Sequence, residues 1–186
     1  MEKRSSEEWF FLPDTSSIKH YLHFLENIKL ACFSETCNSI LMWAHYGEKH
    51  TGVVISINTS IEKWGGFNFF QIKYTNERIS ISSSNEQMGN SRLGQKWKED
   101  LICSKASCWA YEKEWRYIKY KKHCCYDTEN DIYYEPINEE VIDAIILGCQ
   151  IKLEDKKSLI EHCKTNRLPI KIFQIVPDRH EHLLEC

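Results

Sequence analysis

The residue types best suited to chemistry fall in two short stretches of the 186-residue chain, with one outlier between them. Trp43, His45, Tyr46 and His50 stand close together in the first. Glu112, Glu114 and Arg116 alternate with Lys113, Trp115 and Tyr117 in the second, and Lys105 lies shortly before it. If a strand begins at this point, the period of two puts both carboxylates on one face with the guanidinium next in line. A carboxylate beside an arginine is held ionised, which suits stabilising a developing cation or binding ribose hydroxyls rather than donating a proton. The plain alternative is a solvated strand face, unless the sheet is covered on both sides. In that case the charges must pair or meet a ligand. His45 and His50 converge only if the turn at Gly47 folds back, and otherwise read as partly buried histidines bonded to backbone.

The thiols are a second place to look. Cys32 and Cys37, Cys103 and Cys108, and the run His123-Cys124-Cys125 supply zinc-ligand residue types, but their spacing is looser than the short-spaced ligand pairs of a zinc site. Cys103 and Cys108 also fall on a predicted helix at i and i+5, which separates their side chains. No metal is expected. A Cys32 nucleophile with His45 as base is an arrangement the residue types allow, with nothing in the sequence to order the pair.

Several elements must position these groups. Asp14 to Ser17 offer caps for a helix through Ile18, Tyr21, Leu22, Leu25 and Ile28. Leu30 to Phe33 reads as a strand, and Asn38 as the cap of a short helix through Trp43 that ends at Gly47. Gly52 to Ile57 and Phe67 to Tyr74 read as strands, and residues 76–94 as a polar loop with a possible strand at Ile79 to Ile81. Gln95 to Ala110 has helical spacing, with Trp97, Leu101, Ile102, Ala106 and Trp109 on one face, and a strand follows at Trp115. The tail reads as a strand from Val141 to Leu147 stopped by Gly148, a helix from Leu153 to Lys164, and a strand from Pro169 to Val176. The expected fold is therefore α/β in the broad α+β sense, a mixed β-sheet with packed helices. Its expected core includes Ile55, Ile57, Ile145, Leu147, Ile172 and Ile175.

Composition sets the frame. A chain of this length fits one domain, residues 1–186, and buries roughly 70% of the surface its unfolded form exposes. With 42% hydrophobic and 27% charged residues it is neither a disordered nor a membrane sequence. The net charge of -3 provides no global basic field, so nucleic-acid binding is not expected, and Lys119, Lys121 and Lys122 read as a solvated strand end. Nine cysteines, an odd count, together with a charged N-terminus lacking an apolar signal core, fit reduced thiols in the cytoplasm. No apolar run reaches membrane-spanning length.

Two segments taken together resemble one family. The first is Cys32-Phe33-Ser34-Glu35 with Leu41-Met42-Trp43-Ala44-His45-Tyr46-Gly47 and His50-Thr51-Gly52. The second is Lys105, Trp109 and Tyr111-Glu112-Lys113-Glu114-Trp115-Arg116, with Ile145-Ile146-Leu147-Gly148 as a weaker third element. The pattern is similar to DUF2971, a widespread bacterial family of unknown function, over roughly Ile28 to Val176. Members of that family usually open with a Tyr- and Arg-containing strand and an Asn-Asp-Pro turn. Here residues 1–27 form an atypical N-terminal segment and helix instead.

The order of the polar residues also resembles that of ADP-ribosyltransferases. That resemblance implies a nucleotide-dependent transferase, with NAD as its cofactor; phage–host conflict is a setting that either this reading or a phage- or mobile-element-borne binder would suit. His45 would then hydrogen-bond a ribose, Tyr46 stack on the nicotinamide, Glu114 stabilise an oxocarbenium-like transition state and Glu112 orient the acceptor. Trp43, His50, Lys105 and Arg116 would complete the substrate site. The rival expectation is a non-catalytic module that engages a host or defence protein. Six Trp, nine Tyr and eight Phe leave aromatics for an interface hot spot, with Trp9, Phe10 and Phe11 its first candidates.

Overall fold

The structure, a computed structural model, describes residues 22–60, 69–77, 100–177 and 184–185. The caps expected at Asp14 to Ser17, the surface at Trp9 to Phe11, nearly all of the polar loop and Trp97 lie outside the described residues.

Strand β1 (Ile28–Ser34) follows helical residues 22–26, so Ile28, expected on the helix face, instead opens a strand and is buried there. Helix α1 (Ile40–Tyr46) comes next. Its N-cap is Ser39 rather than Asn38, the Ser39 hydroxyl accepting from the Met42 amide at 3.4 Å, and Gly47 closes it. Strand β2 (Val53–Ile57) falls where expected. The single strand read from Phe67 to Tyr74 is two, β3 (Phe69–Gln71) and β4 (Lys73–Thr75), which join different sheets on either side of buried Ile72.

The helix expected to reach Ala110 ends at residue 102. Ser104 and Ser107 are weak helix-interior residues, because their hydroxyls compete for backbone groups. The chain instead forms β5 (Ser104–Ala106), parallel to β4, and then a 3-10 turn over Ser107–Glu112. Cys103 and Cys108 are therefore not on one helix.

Strand β6 (Glu114–Tyr120) is the centre of an antiparallel sheet of order β1-β6-β3. A hairpin, β7 (Cys125–Asp127) and β8 (Ile132–Tyr134), leads to β9 (Ile142–Leu147), helix α2 (Leu153–Thr165) and β10 (Lys171–Gln174). A parallel pair needs a crossover, and α2 supplies it between β9 and β10. Strand β2 adds antiparallel to β9, completing a mixed sheet of order β10-β9-β2. Short strands β11 (Val176–Pro177) and β12 (Leu184–Glu185) pair beyond it. The architecture is α+β, with mixed and antiparallel sheets and helices packed on them.

Trp43, Ile146 and Ile175 form the core cluster, with Val54, Cys37 and Cys149 packed against it. Of the expected core residues, Leu147 and Ile175 are buried, whereas Ile57, Ile145 and Ile172 are only partly so and Ile55 is 54% exposed. The correction is one of parity. On edge strand β2 it is Val54, opposite Ile146, that packs on the Trp43 cluster, and its neighbour Ile55 lines an open cavity. The Trp43 indole N–H is satisfied inside this core by the Cys37 carbonyl at 2.6 Å.

Candidate functional site

The site is built where residues of α1 and of both sheets line one cavity. Tyr46 is the last residue of that helix and is 63% exposed. Beyond Gly47 the backbone makes an unusual turn, with Glu48, Lys49 and His50 all at positive φ (48°, 53° and 71°). Left-handed conformations cost non-glycine residues roughly 1–2 kcal/mol each, so this turn must be held from outside. The Thr51 hydroxyl and amide both donate to the Glu48 carbonyl, and the Gln150 amide donates to the His50 carbonyl at 3.0 Å. Gly148 passes so close beneath that a Cβ there would sit 2.1 Å from the His50 carbonyl oxygen. The turn therefore fixes the end of α1 against β9.

The second half comes from β5, the 3-10 turn and β6. Glu112 closes the turn, Lys113 takes a left-handed conformation at φ 46°, and Glu114 starts the strand. The carboxylates are thus not two positions of one strand, as expected, yet both reach the same cation. The Lys105 ammonium, on β5, donates to Oε2 of Glu112 and, at 3.0 Å, to Oε2 of Glu114. Arg116 donates from Nε to Oε1 of Glu114 at 2.8 Å and from Nη1 to the Ile102 carbonyl. Glu112 and Glu114 are only 3% and 4% exposed, which excludes the solvated-face reading. Two buried carboxylates are matched by two cations, the pairing that burial of charge demands.

The two halves meet through Tyr46, whose hydroxyl donates to Oε1 of Glu112 at 3.0 Å. That bond raises the Tyr46 pKa above its ordinary value, with burial adding to the effect. Burial works against ionised Glu114, but hydrogen bonds from Arg116, Cys32 and Lys105 outweigh it and hold its pKa at about 2. Lys105 likewise loses to burial and gains more from Glu112 and Glu114, so its pKa is raised.

Of the other expected site residues, Trp43 is a core residue. His45 is exposed and packs edge-on against Tyr46, at 6.2 Å between ring centroids. Among the described residues no hydrogen bond joins it to Glu112 or Glu114. His50 serves the turn with its backbone, while its buried Nδ1 has no hydrogen-bond partner among the described residues. The Cys32–His45 nucleophile arrangement gains no support: burial, and then the Glu114 carboxylate, push the Cys32 thiol up to about 11. Among the described residues no disulfide joins any of the eight cysteines.

Sequence reasoning missed three partners. Tyr74 on β4 accepts the Glu114 amide at its hydroxyl (2.8 Å), Ser34 donates to the Glu112 carbonyl (2.7 Å), and Cys32 bonds Glu114. Ser34 and Cys32 were detectable, because their segment accompanies the Glu-Lys-Glu-Trp-Arg run. The register explains why: Ser34 pairs with Glu114, Phe33 with Trp115 and Cys32 with Arg116. Glu35 then accepts the Trp115 indole N–H at 2.5 Å. Nothing in the sequence marks Tyr74.

A cavity of about 720 Å³ opens beside this cluster. Its wall includes Phe33, Trp43, Phe69 and Trp115 together with Tyr46 and Cys32. Glu112 and Glu114 stand outside the wall, Glu112 bonded to Tyr46 and Ser34 in it and Glu114 beside Cys32. No curated protein and no solved structure matches the chain. Residues 42–117 match the family model described as a protein of unknown function (DUF2971), the family that the two sequence segments resemble, in a span narrower than expected that still holds Tyr46, Lys105, Glu112, Glu114 and Arg116.

Proposed function

We propose that the protein is a nucleotide-dependent transferase that takes the planar ring of its nucleotide into the aromatic cavity beside Tyr46. The carrying observation is Tyr46, an exposed residue of the cavity wall whose hydroxyl is bonded at 3.0 Å to a buried carboxylate. A cavity of about 720 Å³ with aromatic walls and a few fixed polar groups has the character of a small-molecule site. The Lys105–Glu112–Glu114–Arg116 cluster holds the Glu112 carboxylate in place, so its hydrogen bond polarises the Tyr46 hydroxyl beside the cavity. In transfer from a nucleotide such as NAD, that polarised oxygen would face the cationic sugar as the glycosidic bond opens. Glu112 acts through Tyr46, and Glu114 holds Lys105 and Arg116 in place.

The test is calorimetric titration with NAD, ATP and AMP, followed by an assay for nicotinamide release. Binding that is at least tenfold weaker in Tyr46→Phe, together with nicotinamide release, supports the reading. Absence of binding to all three at millimolar concentration rejects it. One observation favours the rival, a protein-binding module without chemistry: both carboxylates are buried and already paired. Nucleotide binding without turnover would leave a ligand sensor, and no binding would leave the module.

A further inference from the structure

Lys119, Lys121 and Lys122 close strand β6 and read in sequence as a solvated end. The structure separates them. Lys119 pairs with Glu135 and is neutralised. Lys121 and Lys29 instead bring their ammonium groups to the same ring, each 4.8 Å from the Tyr133 centroid, and Lys122 lies 6.0 Å from the ring of Tyr120. Among the described residues none of these three cations has a carboxylate partner. The β1–β6 register sets Lys29 directly opposite Lys119, whose charge Glu135 offsets. The positive charge left at this end of the sheet is that of Lys29, Lys121 and Lys122.

The tyrosines come from the β7–β8 hairpin. Tyr126 and Tyr133 stack at 4.5 Å, and Tyr126 and Tyr134 are about half exposed. Between the hairpin and β1 lies a hollow of about 260 Å³ lined by Leu30, Phe33, Ile57, Tyr134 and Ile137, with Lys29 and Tyr133 also in its wall. An apolar hollow sized for one planar ring, beside unpaired cations and exposed aromatic faces, matches the recurring plan of single-strand recognition. Bases stack on aromatic side chains while the phosphates follow the positive charge. A folded duplex hides its base faces and offers only phosphate. We propose that the face formed by Lys29, Lys121, Tyr133 and Tyr134 binds single-stranded nucleic acid, one base entering the hollow and its phosphates meeting the two ammonium groups. The hollow shares Phe33 and Ile57 with the wall of the Tyr46 cavity, but its lysines and tyrosines stand outside that wall, and the proposal does not depend on the nucleotide reading.

The test is fluorescence anisotropy with a labelled oligothymidylate at several salt concentrations, using the full chain. Binding should weaken as salt rises. Lys29→Gln/Lys121→Gln should weaken it at least tenfold and flatten the log–log salt slope by about 0.7 for each lysine that met a phosphate. Tyr134→Ala, at an exposed position, should weaken it several-fold with the salt slope unchanged, since it removes stacking and not charge. Tyr46→Phe should leave it unaltered. No binding at low salt overturns the proposal, as does binding indifferent to the lysine and tyrosine variants. Equal affinity for a duplex of the same length, or displacement by millimolar inorganic phosphate, overturns it too, because either reduces the face to a plain anion patch. A thermal melt of each variant identifies any that fail to fold, and the salt dependence and duplex comparison on the unaltered protein then decide alone.

Discussion

The hydroxyl of Tyr46 and the carboxylate of Glu112, 66 positions apart in sequence, are joined by a 3.0 Å hydrogen bond. Behind Glu112 stand Lys105, Glu114 and Arg116, so this one bond connects an exposed phenol to a buried network of four charges. Glu112 keeps its Lys105 contact without Tyr46, and Tyr46 is mostly in solvent. Tyr46→Phe should therefore cost only about 1 kcal/mol of stability by urea denaturation, the usual net worth of such a bond. A much larger loss would make Tyr46 a structural residue and remove the main support for a ligand at the cavity.

Lys105 is the opposite case. Among the described residues its ammonium is the only contact shared by both buried carboxylates, and Lys105→Met would leave them facing each other with Arg116 able to serve Glu114 alone. The expected loss is about 3–5 kcal/mol, the scale for breaking a buried pair by removing one partner. Equilibrium unfolding measures it, and a loss under about 1 kcal/mol would show that the carboxylates reach water or protonate at little cost.

Acid should reveal the same network. Glu114 has a folded pKa of about 2 against an ordinary 4.5, so the folded state binds its proton less readily than the unfolded chain. A lowered carboxylate pKa contributes stability that is complete above about 4.5 and drains away as pH falls towards about 2. With allowance for solvent at the Lys105 side, the contribution is of order 2 kcal/mol. Melting temperature should fall over that window, and Glu114→Gln should flatten the fall.

The sequence made β1 and β6 legible as strands because alternating residues there carry a period of two, while the rest of the two family segments lies on α1, the turn after it and the 3-10 turn. Phe33, Trp115 and Tyr117 mark that period, and the register of β1 on β6 follows it. What it concealed depends on tertiary contacts. Lys113 in a left-handed conformation breaks the alternation between Glu112 and Glu114, and no local pattern announces a left-handed lysine. Lys105 looks helical beside Leu101 and Ile102 until β4 offers it a partner strand. Ile55 and Val54 are interchangeable by composition, and only the position of Trp43 decides which of them packs on the core.

Cys32 provides a chemical check on the geometry. Burial, and the Glu114 carboxylate that accepts its hydrogen bond, raise the thiol from 9.0 to about 11. Only the thiolate is alkylated, and two units remove about 99% of it at neutral pH, so iodoacetamide should modify Cys32 roughly a hundredfold more slowly than an unstructured thiol. Glu114→Gln should restore part of the rate, since burial, the larger cause, remains. Prompt alkylation of Cys32 in the unaltered protein would mean that its bond to Glu114 does not persist.

The two carboxylates can be told apart by a matched pair of variants. Glu114 is bonded by Arg116, Lys105 and Cys32 and has no place in the cavity wall, so Glu114→Gln removes the charge that both cations face. It should lose about 2–4 kcal/mol of stability. Glu112 shares Lys105 with Glu114 but alone reaches Tyr46, so in Glu112→Gln one ion-pair contact is lost while Glu114 still anchors Lys105 and Arg116. The fold should lose less, about 1–2 kcal/mol, whereas the polarisation of the Tyr46 hydroxyl disappears. If that hydroxyl faces a developing cation, nicotinamide release by Glu112→Gln should fall roughly a hundredfold or more while nucleotide affinity changes much less. Melting and turnover measured side by side give the answer. Activity lost only in proportion to stability in both variants would mark the cluster as a structural clamp between β5 and β6, and the transferase reading would give way to the binding module.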